Sequence, residues 1–290
     1  MLHTTLRTVL KPAAGLHNSE KPPVLVVNMD TINSRYFEKF VTFLQEIGDP
    51  DVLKSLDIVE AWSVDTCQMW LAGFGKILAD QNGDEGREPN LSVIVQLPGD
   101  LKHLSDPDDF FPRMEALSSV VQSGEHHFMV GDYDLAPQDS KYLIDAYGTY
   151  PLLFNWFPKE AAKLLRQVRL LRPRSEFFAV SIRFLKEMLQ KKKFAYEQTV
   201  AFLIYALSDE KTDWKVGRQK LGTLTDYEET RRFREATDQI ERTERMLKAL
   251  WRQRQGDDFN VPEYERLDKR STAIREAAMV YLENVLGKRQ

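Results

Sequence analysis

The residues best suited to chemistry are Gly131-Asp132-Tyr133-Asp134-Leu135, directly after the apolar run Phe128-Met129-Val130. A strand that ends in Asp-x-Asp carries two carboxylates to the carboxyl edge of a sheet, where open α/β folds bind ligands. Alternate residues of an extended segment point the same way, so both carboxylates can face one cation. Oxygen ligands of this kind suit Mg²⁺ or Mn²⁺. Taken alone, the same motif also reads as a strand end with turn-forming aspartates.

Four further charged residues have candidate roles. Arg172 and Arg174 flank Pro173 ahead of Ser175. They form a candidate phosphate clamp or, equally, a solvated loop after a basic helix. Glu197 is a candidate general base, with a surface or capping role as its alternative. Glu176, beside two phenylalanines, is a second candidate base, because a partly buried carboxyl has a raised pKa. His126-His127 point to opposite faces of a strand and make a poor metal pair. Cys67 has no histidine near it in sequence and reads as a buried thiol.

These residues need a frame to hold them. The runs at residues 24–28, 57–62, 91–97, 127–130 and 151–156 read as strands. Between them, residues 36–44, 70–79, 110–123 and 141–147 read as helices, the third with Met114, Leu117 and Val121 on one face. Alternation of this kind predicts a mostly parallel α/β sheet with helices on both faces. After residue 159 the texture turns helical, over 159–171, 177–190, 196–207, 226–255 and 262–286. Apolar stripes mark the last two: Met246, Leu247, Leu250 and Trp251, then Ile274, Ala278, Tyr281, Leu282 and Val285. This divides the chain into an arm (1–22), a sheet domain (23–207) and a helical C-terminal region (208–290), whose stripes make it a candidate homodimer element.

In this order the segments resemble the GT-A fold of nucleotide-sugar glycosyltransferases, loosely the family-2-like group. Gly131–Leu135 matches that family's Asp-x-Asp metal motif. Asp30, after the first strand, and Asp65, after the second, match its nucleotide-contacting positions. Phe111-Pro-Arg113-Met-Glu-Ala-Leu117 resembles its basic residue and Ala-Leu helix, with Arg113 where lysine is more common. Ser175–Leu185 resembles the segment near the acceptor site, and Glu197-Gln198 stands where many members carry an acidic pair. The resemblance covers roughly residues 23–207. It implies transfer of a sugar from a nucleotide-sugar donor to an acceptor hydroxyl. Asp132 and Asp134 would hold Mn²⁺ or Mg²⁺, and Asp30, Asp65, Arg113, Arg172 and Arg174 would hold the donor. The alternatives are a nucleotidyltransferase and a non-catalytic interaction protein with a degenerate site. Asn28-Met-Asp-Thr-Ile-Asn33 lacks the glycines usual in the first of these.

Composition narrows the classes. The 290 residues carry a net charge of −4, with 42% hydrophobic and 29% charged residues, ordinary for a globular chain. No basic field calls for nucleic acid. One cysteine excludes an internal disulfide framework and fits a reducing cytoplasm. No apolar run approaches the roughly 20 residues of a membrane span, and residues 1–15 lack the apolar core of a secretory signal.

Overall fold

The computed structural model describes residues 24–28, 57–61, 73–75, 78, 93–96, 107–134, 140–190, 198–208, 213–223 and 232–286. The chain forms two units, Met1–Pro89 with Pro98–Pro107, and Asn90–Leu97 with Asp108–Gln290. In the first, β1 (Val24–Asn28) and β2 (Asp57–Ala61) pair in parallel, Val24 opposite Asp57.

The second unit is built on four strands. They are β3 (Val93–Gln96), β4 (Phe128–Asp134), β5 (Phe178–Ser181) and β6 (Val216–Thr223), in the order β3-β5-β4-β6. β5 runs antiparallel to both β3 and β4, and only β4 with β6 is parallel. The sheet of this unit is therefore mixed, not mostly parallel as the alternation predicts. The difference lies in β5, whose residues Phe178-Ala-Val-Ser181 are all buried. A short continuous apolar run has no period to separate strand from buried helix. Sequence reading therefore merges it with the helix that follows, here α5 (Ile182–Gln190).

Helices cover both faces of this sheet. Met129 and Ala179 pack with Leu117 and Val121 of α1 (Pro107–Gln122). Their strand neighbours Phe128 and Phe178 point the other way. There they meet Phe184 of α5 and Phe202 of α6 (Gln198–Ser208), with Phe128 ring centroids 5.4 to 5.7 Å from the other three. The predicted apolar face of α1 is present, with Met114, Leu117 and Val121 all buried.

Between β4 and β5 the chain is helical. α2 (Ser140–Leu143) widens into a π-helix over Ile144–Thr149 and passes into α3 (Tyr150–Trp156). Residues 151–156, predicted as a strand, are helical. Pro151 stands where the π-helix passes into α3, among the first two residues of that α-helical stretch. The buried residues Leu152, Leu153, Asn155 and Trp156 then lie on one helical side. α4 (Pro158–Lys163) follows and widens into a second π-helix, Leu164–Val168.

The predicted boundary at residue 207 falls inside the second unit, because β6 supplies a strand to the sheet. Gly217 and Gly222 weaken its sequence signal, since glycine is depleted in strands. The long helices α7 (Arg232–Gln255) and α8 (Val261–Leu286) pack against each other and against α3. Trp156 Nε1 donates to Ser271 Oγ (3.0 Å), and Asn155 Nδ2 donates to the Leu267 carbonyl (2.9 Å). Met246, Leu247, Trp251, Ala278 and Leu282 are buried within the chain. The stripes that suggested a homodimer are thus largely satisfied inside one molecule. Among the described residues no helix is long and apolar enough to cross a membrane.

Candidate functional site

β4 lies between β5 and β6, and six of its seven residues are buried. Its last turn of chain is held by backbone contacts. Gly131 N donates to the Phe177 carbonyl (2.8 Å), and Ser175 Oγ donates to the Gly131 carbonyl (2.6 Å). The approach is close enough to require glycine: a Cβ on Gly131 would stand 2.9 Å from that of Phe177. The segment 171–177 is thereby pressed against the end of β4.

Asp132 and Asp134 part company here. Asp132 is 3% exposed, whereas Asp134 is exposed, and a register irregularity separates them. Asp132 Oδ1 accepts from Arg172 N (3.1 Å), and Oδ2 accepts from Leu171 N (3.1 Å) and Arg218 Nη1 (2.8 Å). Both oxygens are engaged by the chain's own donors. The expected site, two free carboxylates facing one Mn²⁺ or Mg²⁺, does not fit these residues. A carboxylate already bonded to a guanidinium and two amides has little lone-pair capacity left for a cation. Among the described residues no group of three or more His, Cys, Asp or Glu side chains could hold a metal ion.

Arg172 and Arg174 are brought together, around a carboxylate that sequence reading missed. Asp145, 2% exposed, projects from the first π-helix. Arg172 Nε lies 3.1 Å from its Oδ2 and Arg174 Nη1 3.9 Å from its Oδ1. Thr149 Oγ1 donates to Asp145 Oδ1 (3.1 Å), and Arg174 also donates to Gln239 of α7. The Arg172 guanidinium stands over the Tyr133 ring, 4.9 Å from its centroid. It is 5% exposed, and its Nη1 has no hydrogen-bond partner. The Tyr150 hydroxyl donates to the Leu170 carbonyl. Burial, then the nearby Asp145 and Asp132 carboxylates, push that phenol well above its ordinary pKa, against a smaller opposing pull from Arg218.

Of the other predicted residues, Arg113 is half-buried on α1, its Nη1 3.7 Å from where a Cβ on Gly222 of β6 would stand. Glu176 is exposed, so the burial expected to raise its pKa is missing. Asp30, Asp65 and Glu197 lie outside the described residues.

Arg218 also escaped sequence reading. It faces Val130 in the β4–β6 register, so Asp132 is its diagonal neighbour on the same face, within reach of a long side chain. A buried aspartate on a helix face and an arginine on an unrecognised strand give no local signal, because their partners are 27 to 86 residues away. No protein-family model matches the chain, and no match is found among curated proteins.

Proposed function

We propose that the protein is a glycosyltransferase that moves a sugar from a nucleotide-sugar donor to an acceptor hydroxyl, on a GT-A-like variant of this α/β fold. One observation carries the reading: the Asp-Tyr-Asp segment ends an inner strand of the sheet, and the Arg172–Arg174 turn is hydrogen-bonded to it. The carboxyl ends of sheet strands are where open α/β folds bind their ligands. A departing nucleoside diphosphate carries growing negative charge, and buried guanidinium groups are well suited to meet it. In this reading Arg113 supports the phosphates. Glu197, or Glu176 from its exposed position, removes the acceptor proton. A reducing cytoplasm is the proposed setting.

A second reading, a non-catalytic interaction protein of the same fold, is favoured by the three hydrogen bonds that Asp132 already accepts from the chain's own donors. The two are separated by a panel of nucleotide sugars, tested by thermal shift and by release of nucleoside diphosphate, with and without Mn²⁺. A transferase is stabilised by one nucleotide class and releases its diphosphate. An interaction protein ignores the panel. A nucleotidyltransferase would instead release pyrophosphate from a nucleoside triphosphate.

A further inference from the structure

The disagreement at Asp132 has a physical consequence. The position that the resemblance gives to a divalent cation is filled by the Arg218 guanidinium, 2.8 Å from Asp132 Oδ2. This is the one hydrogen bond that Arg218's side chain makes among the described residues, and that side chain is 23% exposed. A guanidinium has five N–H donors, so most of its donor capacity remains for an incoming anion.

The surrounding charge supports the same conclusion. Five groups interlock here: Asp132, Asp145, Arg172, Arg174 and Arg218. Among the described residues, the pairs just named set two carboxylates against three guanidiniums, an excess of one positive charge. Arg172 Nη1, on a side chain 6% exposed, has no acceptor. A buried charged donor without an acceptor is costly, and an anionic oxygen beside the half-buried Arg218 offsets the excess positive charge of the cluster.

We infer that Arg218, tethered to Asp132, replaces the divalent cation, and that the end of β4 binds a phosphate-bearing ligand without metal. The identity of that ligand as the donor's diphosphate rests on the glycosyltransferase reading; the absence of a metal role for Asp132 does not.

The test uses the full chain and two simple probes. Mn²⁺ alone is titrated and followed by electron paramagnetic resonance, in the wild type and in Asp132→Asn. Inorganic pyrophosphate is titrated by calorimetry in the presence of EDTA. The expected result is no Mn²⁺ site that depends on Asp132, and pyrophosphate binding that Arg218→Gln weakens by about tenfold or more, as loss of a charge-assisted hydrogen bond does. Arg218→Lys, which keeps the charge, retains more of the binding. Should Arg218→Gln fail to fold, the double variant Asp132→Asn/Arg218→Gln removes both charges together and carries the same expectation. A Mn²⁺ site lost in Asp132→Asn overturns the inference. So does pyrophosphate binding that requires Mn²⁺, is absent in EDTA, or survives undiminished in the folded variant. The glycosyltransferase reading fails separately, if pyrophosphate binds as expected and no nucleotide sugar is turned over.

Discussion

Two regions of this protein bury carboxylates among cations, and they are balanced differently. Between α7 and α8, Glu244 is 1% exposed, with Lys248 Nζ 2.8 Å from its Oε1 and Arg275 Nη1 2.9 Å from its Oε2. Lys248 also reaches Asp268 at 2.5 Å. Burial of the Lys248 ammonium lowers its pKa, but the Asp268 and Glu244 carboxylates outweigh this and raise it. Two negative and two positive groups cancel, and the cations sit near the surface. At the end of β4 the count among the described residues is two against three, Asp132 accepts two backbone amides, and the Arg172 Nη1 donor is unmatched. A neutral set with solvated cations needs nothing more than two helices to hold together. A set with positive charge in excess attracts an anion. The comparison separates an interhelical clasp from a candidate site by charge arithmetic and burial, not by the number of ion pairs.

Neutralisation should expose the contrast most sharply at Asp132. Asp132→Asn removes the charge facing Arg218 and turns one of its two acceptor oxygens into a donor facing a backbone amide. Breaking a buried pair from one side costs about 3–5 kcal/mol, and chemical denaturation should show a loss near the upper end. Sequence reading alone, treating Asp132 as a metal ligand, expects the same variant to fold unchanged. Asp145→Asn should follow at about 3 kcal/mol by the same mechanism, and also free the Arg172–Arg174 turn. Faster amide exchange at residues 171–175 checks this, and unchanged exchange would break the proposed link.

Gly148 ties the two regions, since it lies one turn from Asp145 and beneath Ile240 of α7. A Cβ there would stand 2.7 Å from Ile240 Cγ1. Gly148→Ala should therefore cost about 1–3 kcal/mol by overpacking, measured by the same denaturation. Glu244→Gln should cost less, because Lys248 and Arg275 can turn to solvent whereas the backbone amides that face Asp132 cannot. A loss as large as that of Asp132→Asn would dissolve the distinction drawn above.

The smallest effect concerns pH at the start of β4. His127 Nδ1 accepts from Lys215 N (3.2 Å), a contact that needs the neutral ring. Burial, then Arg183, Lys215 and His126, lower its pKa from the ordinary 6.5, against a pull from Asp213. The unfolded chain then binds more protons than the folded one just below that value. Stability should accordingly be full above about pH 6.5 and decline as pH falls through the lowered folded value. His127→Gln should flatten that part of the profile, read from melting temperatures between pH 5 and about 7.

Much of this was written locally. The apolar spacing of Met114, Leu117 and Val121 determined a helix and its buried face, and the run Phe128–Val130 before Gly131-Asp132 determined a strand and its end. The stripes of α7 and α8 likewise follow from periods of a few residues, which sequence displays directly. Tertiary structure decided the rest. Phe178–Ser181 has the composition of either a strand or a buried helix, and pairing on both sides made it a strand. Residues 151–156 went the other way, because their apolar side chains found α7 and α8. Above all, the fate of Asp132 turned on Arg218, 86 residues further on. Whether a carboxylate meets a cation from solution or a guanidinium from its own chain depends on a register between strands, and no local pattern contains that.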